Sequence, residues 1–336
     1  MLKQKSISDF KKNDEVNHYF IISKSELRKT KNNDEFLSLE LSDKSSSITS
    51  NIWKDVKGFQ ELRELSLDEK LTGKIIKVFG KVGEYNNILT IETEAIRLCS
   101  NGDDVSMEDF LKVSERKIDE MIKEFKAWMD RIKEPNIKKL INTLFDSKTL
   151  ERFSKHPAGK NWHHAYVGGL IEHTLEIIEI CNLMCKFHKE INRDLLIAGA
   201  MIHDLGKIEE ISPEVGFEYT TKGKLLGHIT IAVSLVEDAI KKIGSFPEDL
   251  KLNLLHLLLS HQGKLENASP VIPKTLEAAV LYHADELSAK TNAYKTTLQK
   301  EQKSQSGWTK YINLANTELF EHKLHFKSNY QEGLFD

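Results

Sequence analysis

The chain has 336 residues, 40% of them hydrophobic, which is too long for one ordinary small domain and enough to bury a sizeable core. Its 48 basic and 51 acidic side chains leave a net charge of −3, which excludes the global basic excess of a duplex-binding protein and confines any nucleic-acid contact to local patches. Three cysteines without CxxC spacing, no apolar run of about 18 residues and no signal-like N-terminus argue against a disulfide framework or a membrane partner, so a soluble cytoplasmic protein is expected.

Residues 15 to 98 read as five short strands: EVNHYFII, EFLSLELSD, SITSNIW, GKIIKVFGKV and NNILTIETEAI. Leu37, Leu39 and Leu41 share one parity, as do Leu89, Ile91 and Thr93, the alternation of half-buried strands. Turn signals KNND, SDKSSS and EYNN separate them, and a longer connection, DVKGFQELRELSLDEK, precedes the fourth. Five strands with that insertion predict a five-stranded OB-fold β-barrel over 1–105, although a β-sandwich fragment has the same pattern. Helical spacing of Ile118, Met121, Ile122, Phe125, Met129 and Ile132, closed by Pro135, predicts a helical linker over 106–150. The pattern stays helical to about 300, with stops at Gly206, Gly244 and Gly263, so an all-α second domain is expected over 151–300. WTKYINLANTELF then predicts a last helix in a 301–336 tail, packing back through Trp308, Ile312, Leu314 and Phe320.

Ten of the thirteen histidines fall between 156 and 283. One histidine on an apolar face is usually a hydrogen-bonded core residue, but several imidazoles beside carboxylates in one core need a shared partner, and a divalent cation is such a partner. GGLIEHTLEI puts His173 inside a helix, AGAMIHDLGK delivers His203 and Asp204, and YHADELSAK brings Asp285. Adjacent helical residues diverge by about 100°, so His203 and Asp204 can face one ion only at a helix end or against a neighbouring helix. Mixed nitrogen and oxygen ligation with positions left for water suits Mn²⁺, Mg²⁺, Fe²⁺ or Ni²⁺ and a catalytic site better than structural zinc.

In that order His173, His203-Asp204 and Asp285 resemble the HD superfamily of metal-dependent phosphohydrolases. The longer strings NWHHAYVGGLIEHT, AGAMIHDLGK, GKLLGHI, LLLSHQGKLENASP and TLEAAVLYHADELSAK are similar to the YhaM-type 3′-to-5′ exoribonuclease family, which joins an OB-fold to an HD domain, and KSELRKTKNNDEFLSLELSDKSSSITSNIW resembles its OB half. The resemblance covers residues 10 to 325. It implies a divalent cofactor, with Mn²⁺ the first expectation, and a second ion held by His228 and His261 with Asp204 as the bridge. Gln262 stands where a second histidine often follows, which weakens that ion; the alternative is one ion, with His228 and His261 on substrate phosphate.

A water activated by the cation would attack a phosphodiester. Lys207 either clamps a phosphate or is a solvated charge at a helix end, and His163 and His164 either meet the scissile phosphate and leaving oxygen or cap and support the His173 helix. On the barrel, Lys24, Arg28, Lys29 and Lys31 with Trp53 and Tyr85 are candidates for holding single strands by charge and stacking, against the plainer reading of a solvated hairpin and core aromatics. The expected activity is hydrolysis of single-stranded RNA, and of short single-stranded DNA, to nucleoside 5′-monophosphates by a homo-oligomer. A nucleotide phosphohydrolase or cyclic-nucleotide phosphodiesterase with a regulatory barrel, and a binding module with a structural metal, are the competing readings.

Overall fold

The structure, a computed structural model, describes residues 3–68, 70–86, 88–100, 102–105, 109–160, 162–212, 217–300, 306–313 and 315–322. β1 (Glu15–Lys29), β2 (Glu35–Ser42), β3 (Ser47–Trp53), β4 (Ile75–Tyr85) and β5 (Ile88–Leu98) close a barrel in the order β1-β2-β3-β5-β4, with β4 returning to β1. Closure depends on the length of β1. Its first half pairs with β4 and its second with β2, and a register shift between Ile22 and Lys24 bends it from one partner to the other. Leu37, Leu39 and Leu41 point inward with Phe20, Ile52 and Val78, as the alternation predicts. The connection after β3 forms α1 (Phe59–Leu67), whose Phe59 and Leu62 join that core. Strand order and helix position are those of an OB-fold.

Nine helices follow among the described residues: α2 (Ile118–Asp130), α3 (Pro135–Leu144), α4 (Ser147–Lys155), α5 (Gly169–Phe187), α6 (Arg193–Ile202), α7 (Lys207–Glu210), α8 (Thr221–Ile243), α9 (Glu248–Ser260) and α10 (Leu276–Lys300). Their starts carry the caps the sequence supplies. Glu134, Asp146, Asn192 and Thr220 each accept from a backbone N–H in the first turn. The segment expected as a linker is not one: Met121, Phe125 and Trp128 of α2 and Ile137, Leu140 and Ile141 of α3 belong to the same core as α5, α6 and α9. That much apolar surface is stabilised only by burial.

The two parts are joined by a strap. Phe110 packs on Ile21 of the barrel, while Val113 bridges Val167 ahead of α5, with Ser114 N–H donating to Val167 O and Val167 N–H to Lys112 O, both at 2.9 Å. Among the described residues 306–313 and 315–322 the predicted C-terminal helix is absent. There the chain makes a small hairpin, with Trp308 opposite Phe320 and Ile312 opposite Thr317; Leu314 and residues 323–336 lie outside the described residues. Gly307 (φ 88) and Asn316 (φ 53) take left-handed conformations that turn the chain, and the rings of Trp308 and Phe320 meet at 5.0 Å across it. Among the described residues no helix is long and apolar enough to cross a membrane.

Candidate metal centre and nucleic-acid face

Four imidazoles reach one interior cluster. His173 lies in the second turn of α5, fully buried, and its Nδ1 meets Ser288 Oγ of α10 at 2.9 Å; that hydroxyl donates to Glu176 at 2.6 Å. α6 and α9 end in the same way. His203 follows the last residue of α6 and His261 the last of α9, and each turns Nδ1 back onto a carbonyl three residues earlier, Ala200 O at 2.8 Å and Leu258 O at 2.7 Å. The stop after Ile202 is what lets Asp204, next in sequence, point to the same place as His203. The fourth arrives by a break: Gly227 (φ 70, ψ 154) interrupts α8, and Glu210 accepts both the freed His228 N–H at 2.9 Å and its Nδ1–H at 3.2 Å. With every Nδ1 bonded, each ring presents Nε2 to the centre.

Asp204 lies between the pairs. Its Oδ2 is 3.2 Å from His203 Nε2 and 3.7 Å from His173 Nε2, while its Oδ1 is 3.5 Å from His228 Nε2 and 3.8 Å from His261 Nε2. Asp285 Oδ1 adds an oxygen 3.1 Å from His173 Nε2. The four predicted ligands therefore converge, and so do the two that the resemblance implied. His173, His203 and Asp204 form one possible metal triad and Asp204, His228 and His261 another, the ligand atoms of each lying within 4.8 Å of one another. Nε2 of His173, His203 and His261 and Oδ1 of Asp204 are buried without a hydrogen-bond partner. Each such orphan costs about 1–3 kcal/mol, so these atoms fit a divalent cation that would take their lone pairs.

The electrostatics agree. Burial pushes the His173 imidazole well below its usual pKa and His261 down to about 4, keeping both in the neutral form that ligates. Burial alone would raise Asp204, but the Lys207 ammonium at 2.6 Å and the His203 ring outweigh it and hold the carboxyl well below the usual carboxylate range. Burial opposes charging of His203 too, yet the Asp204 carboxylate raises it.

Above the centre lies a pocket of about 310 Å³, lined by Trp162, His163, Lys207, His261, Gln262, Tyr282, Asp285 and Glu286 among others. Lys207 thus reaches both Asp204 and the pocket. His163 lines it as well, and burial holds its ring well below the usual pKa, with both nitrogens unpartnered. His164 does not face the pocket. Its backbone takes a left-handed conformation (φ 44), which turns the buried ring toward Glu176 at 3.4 Å, behind His173. Gln262 sits with Nε2 3.5 Å from His228 Nε2. Ser288, Glu176 and Glu210, which orient His173 and His228, were missed by sequence reasoning; the signal available was a polar residue one turn from Asp285, as Ser288 is.

On the barrel, strand register builds one outer surface from rows Arg28–Phe36–Trp53, Glu26–Ser38–Asn51 and Lys24–Glu40–Thr49. Trp53 is 43% exposed and its ring lies 4.7 Å from that of Phe36 at 30°. Lys24 and Arg28 flank Glu26 at 2.7 and 2.5 Å, and their cations hold its carboxyl down to about 2. Lys29 turns aside to Glu35 at 3.5 Å, and Lys31 is exposed in the β1–β2 turn. Tyr85, 73% exposed, stands away from the Phe36–Trp53 pair: Thr90 of β5 is level with Thr49, which puts the β4–β5 hairpin near the start of β3, whereas Trp53 ends it. Between barrel and helices lies a cleft of about 810 Å³ whose walls carry Lys44, Lys112 and Lys295.

Comparison with known proteins meets this geometry from outside. The HD domain family matches residues 170–290, which hold every metal-ligand candidate named above. Relatives named 3′-5′ exoribonuclease YhaM are similar over nearly the whole chain. That of Geobacillus sp. (strain WCH70) is 33% identical over 88% of this chain and 89% of its own length; that of Bacillus subtilis (strain 168) is 33% identical over 85% and 88%, and that of Bacillus velezensis 34% over 82% and 85%.

Proposed function

The chain belongs to the YhaM family of 3′-5′ exoribonucleases, and from that premise we propose that its HD site is a divalent-metal centre that removes nucleoside 5′-monophosphates one at a time from the 3′ end of single-stranded RNA. The observation that carries this reading is the Asp204 carboxylate, held between two imidazole pairs of which three inward nitrogens, on His173, His203 and His261, are buried without a hydrogen-bond partner. Two ions, Mn²⁺ before Mg²⁺, Fe²⁺ or Ni²⁺, would be held by His173, His203, Asp204 and Asp285 on one side and by Asp204, His228 and His261 on the other, and would lower the pKa of a water and neutralise charge on the phosphoryl oxygens.

The other roles fall to the chain itself. Lys207, facing the pocket from Asp204, meets a non-bridging phosphate oxygen. His163 supplies a neutral imidazole beside the scissile bond, whose N–H donates a hydrogen bond to the departing 3′ oxygen of the shortened strand, while the proton that oxygen finally takes comes from solvent water. His164 supports His173 through Glu176 and Ser288 and does not touch substrate. Upstream nucleotides run past Lys44, Lys112 and Lys295 to the barrel surface, where Phe36 and Trp53 stack bases and Lys24 and Arg28 meet phosphates, with Lys29 and Lys31 at its edge. Short single-stranded DNA shares these phosphates and base faces, so we expect it to be cut too. Trp308, Tyr311 and Phe320, exposed on the C-terminal hairpin, are the contact we expect in a homo-oligomer; a Trp308→Ser variant should sediment at lower mass.

The test is a time course. Chelator-stripped protein, resupplied with each cation in turn, is given 5′-labelled RNA and, separately, a panel of nucleotides and cyclic nucleotides. We expect two ions per chain by elemental analysis, a ladder shortening from the 3′ end, and 5′-monophosphates as product. Activity confined to the nucleotide panel would replace this reading with a nucleotide phosphohydrolase.

A further inference from the structure

The pocket over the metal centre contains more than the hydrolytic groups. Two aromatic residues that chemistry at phosphorus does not require, Trp162 and Tyr282, line the same 310 Å³ as Lys207, His163 and Asp285. Each is delivered beside a group of the site. Trp162 precedes His163 in the chain, and Tyr282 lies one turn before Asp285 on α10, where residues three apart have Cβ atoms about 5–6 Å from one another. Both side chains are half-buried, neither sealed in the helical core nor free in solvent.

Tyr282 is also held in place. Gly263, two residues after the ligand His261, has φ 76, and a Cβ built on it would fall 2.2 Å from the Tyr282 ring. Only glycine tolerates both the left-handed backbone and that approach, so the ring rests directly on the main chain that carries His261 and Gln262. An aromatic wall fixed by backbone contact loses little side-chain freedom when something flat is laid on it.

We propose that Trp162 and Tyr282 form the subsite for the base of the 3′-terminal nucleotide, so that the enzyme engages a base face, and not only a phosphate, at every turnover. The inference rests on reading this site as an exoribonuclease centre and adds the group by which it grips the end. The volume is at the low end for small-molecule pockets and admits one nucleotide, which accounts for single-residue steps. Because every base has a π-face, such a subsite accepts all four bases, while an end without a base loses the contact.

The experiment uses full-length protein with Mn²⁺ and two 5′-labelled RNA oligomers that differ only in the last residue, adenosine in one and an abasic ribose in the other. Stacking of about 1–3 kcal/mol per base predicts that the adenosine end is removed roughly 5- to 150-fold faster. Tyr282→Ala and Trp162→Ala should shrink that ratio toward one, chiefly by slowing the adenosine end, and Tyr282→Phe, which keeps the ring, should preserve it. Equal rates on the two ends with wild-type protein would overturn the base subsite while leaving the exoribonuclease reading intact, and so would alanine variants that slow both ends alike. Removal of neither end by wild-type protein would overturn the exoribonuclease reading, and this subsite with it.

Discussion

Among the described residues of the barrel strands, Ser50 is the one buried polar side chain, and its hydroxyl is fully engaged, by Ile91 O at 2.8 Å and Thr93 Oγ1 at 2.7 Å. The helical domain does the opposite. It buries His173, His203, His261, Asp204 and Lys207 in one cluster and leaves inward nitrogens there unpaired. Both parts have well-filled apolar cores, so the difference is not one of packing. A polar group buried and satisfied belongs to the fold, whereas a set buried and unsatisfied around one point is held there for something that binds. The barrel instead has its candidate binding groups outside, as a row of side chains over an apolar interior.

If that division is right, the two parts should fail separately. The largest effect belongs to Asp204→Ala, which removes the one carboxylate shared by both triads. Hydrolysis of labelled RNA should fall on the order of 10³-fold or more, while the dissociation constant for the same RNA, set by the barrel, should barely move. Retained hydrolysis would break the comparison outright. Next comes Ser288→Ala, which leaves His173 in place and takes away the acceptor of its Nδ1–H. Losing such a support costs metal affinity roughly 10- to 100-fold. It should therefore appear as a shift in the Mn²⁺ concentration for half-maximal rate, with the rate at saturation much less affected.

The barrel side is tested by Phe36→Ala and Trp53→Ala. Each deletes one ring of an outer pair whose centroids are 4.7 Å apart, and each should weaken RNA binding by about 1–3 kcal/mol. The loss should fall on KM for long strands and spare both kcat and metal content. A Tyr85→Ala variant serves as the control, since its ring stands at the other end of β3 and should matter less.

Much of this was legible in the chain because the informative residues sit in short, self-contained strings. β3 begins and ends where SITSNIW does, since a serine-rich turn precedes it and an exposed tryptophan closes it. The candidate metal ligands were legible for a related reason: each is carried by its own short motif, His203, Asp204 and His261 where helices end and His173, His228 and Asp285 within helices. What stayed hidden depends on one residue's backbone. Gly227 breaks α8 inside a string, GKLLGHI, whose spacing reads as helix throughout, and the left-handed turn at His164 sends that ring behind His173 instead of into the pocket. Glu176, Glu210 and Ser288 look like surface residues until their helices are packed. The C-terminal segment misled in the same way, because Trp308 and Ile312 are four apart, as a helix would have them, yet Gly307 and Asn316 fold the strip into a hairpin.

The smallest effect concerns pH. His156, outside the metal set, is buried with Nδ1 on Arg152 O at 2.7 Å and Nε2 unpartnered, and burial lowers its pKa below the usual 6.5. The unfolded chain then takes up a proton more readily than the folded one, so stability is full above about pH 6.5 and declines as the pH falls from there toward the folded-state value. In the barrel one imidazole, that of His18 on β1, is lowered by burial in the same direction, and the other acidic shifts are on carboxylates. Glu26, held down by Lys24 and Arg28, and Asp103, held down by Arg97, favour the folded state above the unfolded carboxylate range of about 4 and give that up only below it. In thermal unfolding of chelator-treated protein between pH 8 and 4.5, the transition of the helical domain, which buries several lowered imidazoles, should therefore move down further than that of the barrel, where His18 is the one such imidazole. His156→Asn should flatten part of the helical slope, because the buried imidazoles His173 and His261, candidates for metal ligation, are lowered in the same direction and keep the rest. A barrel transition that falls in parallel over this range would mean that the two parts do not divide their polar groups as their burial indicates.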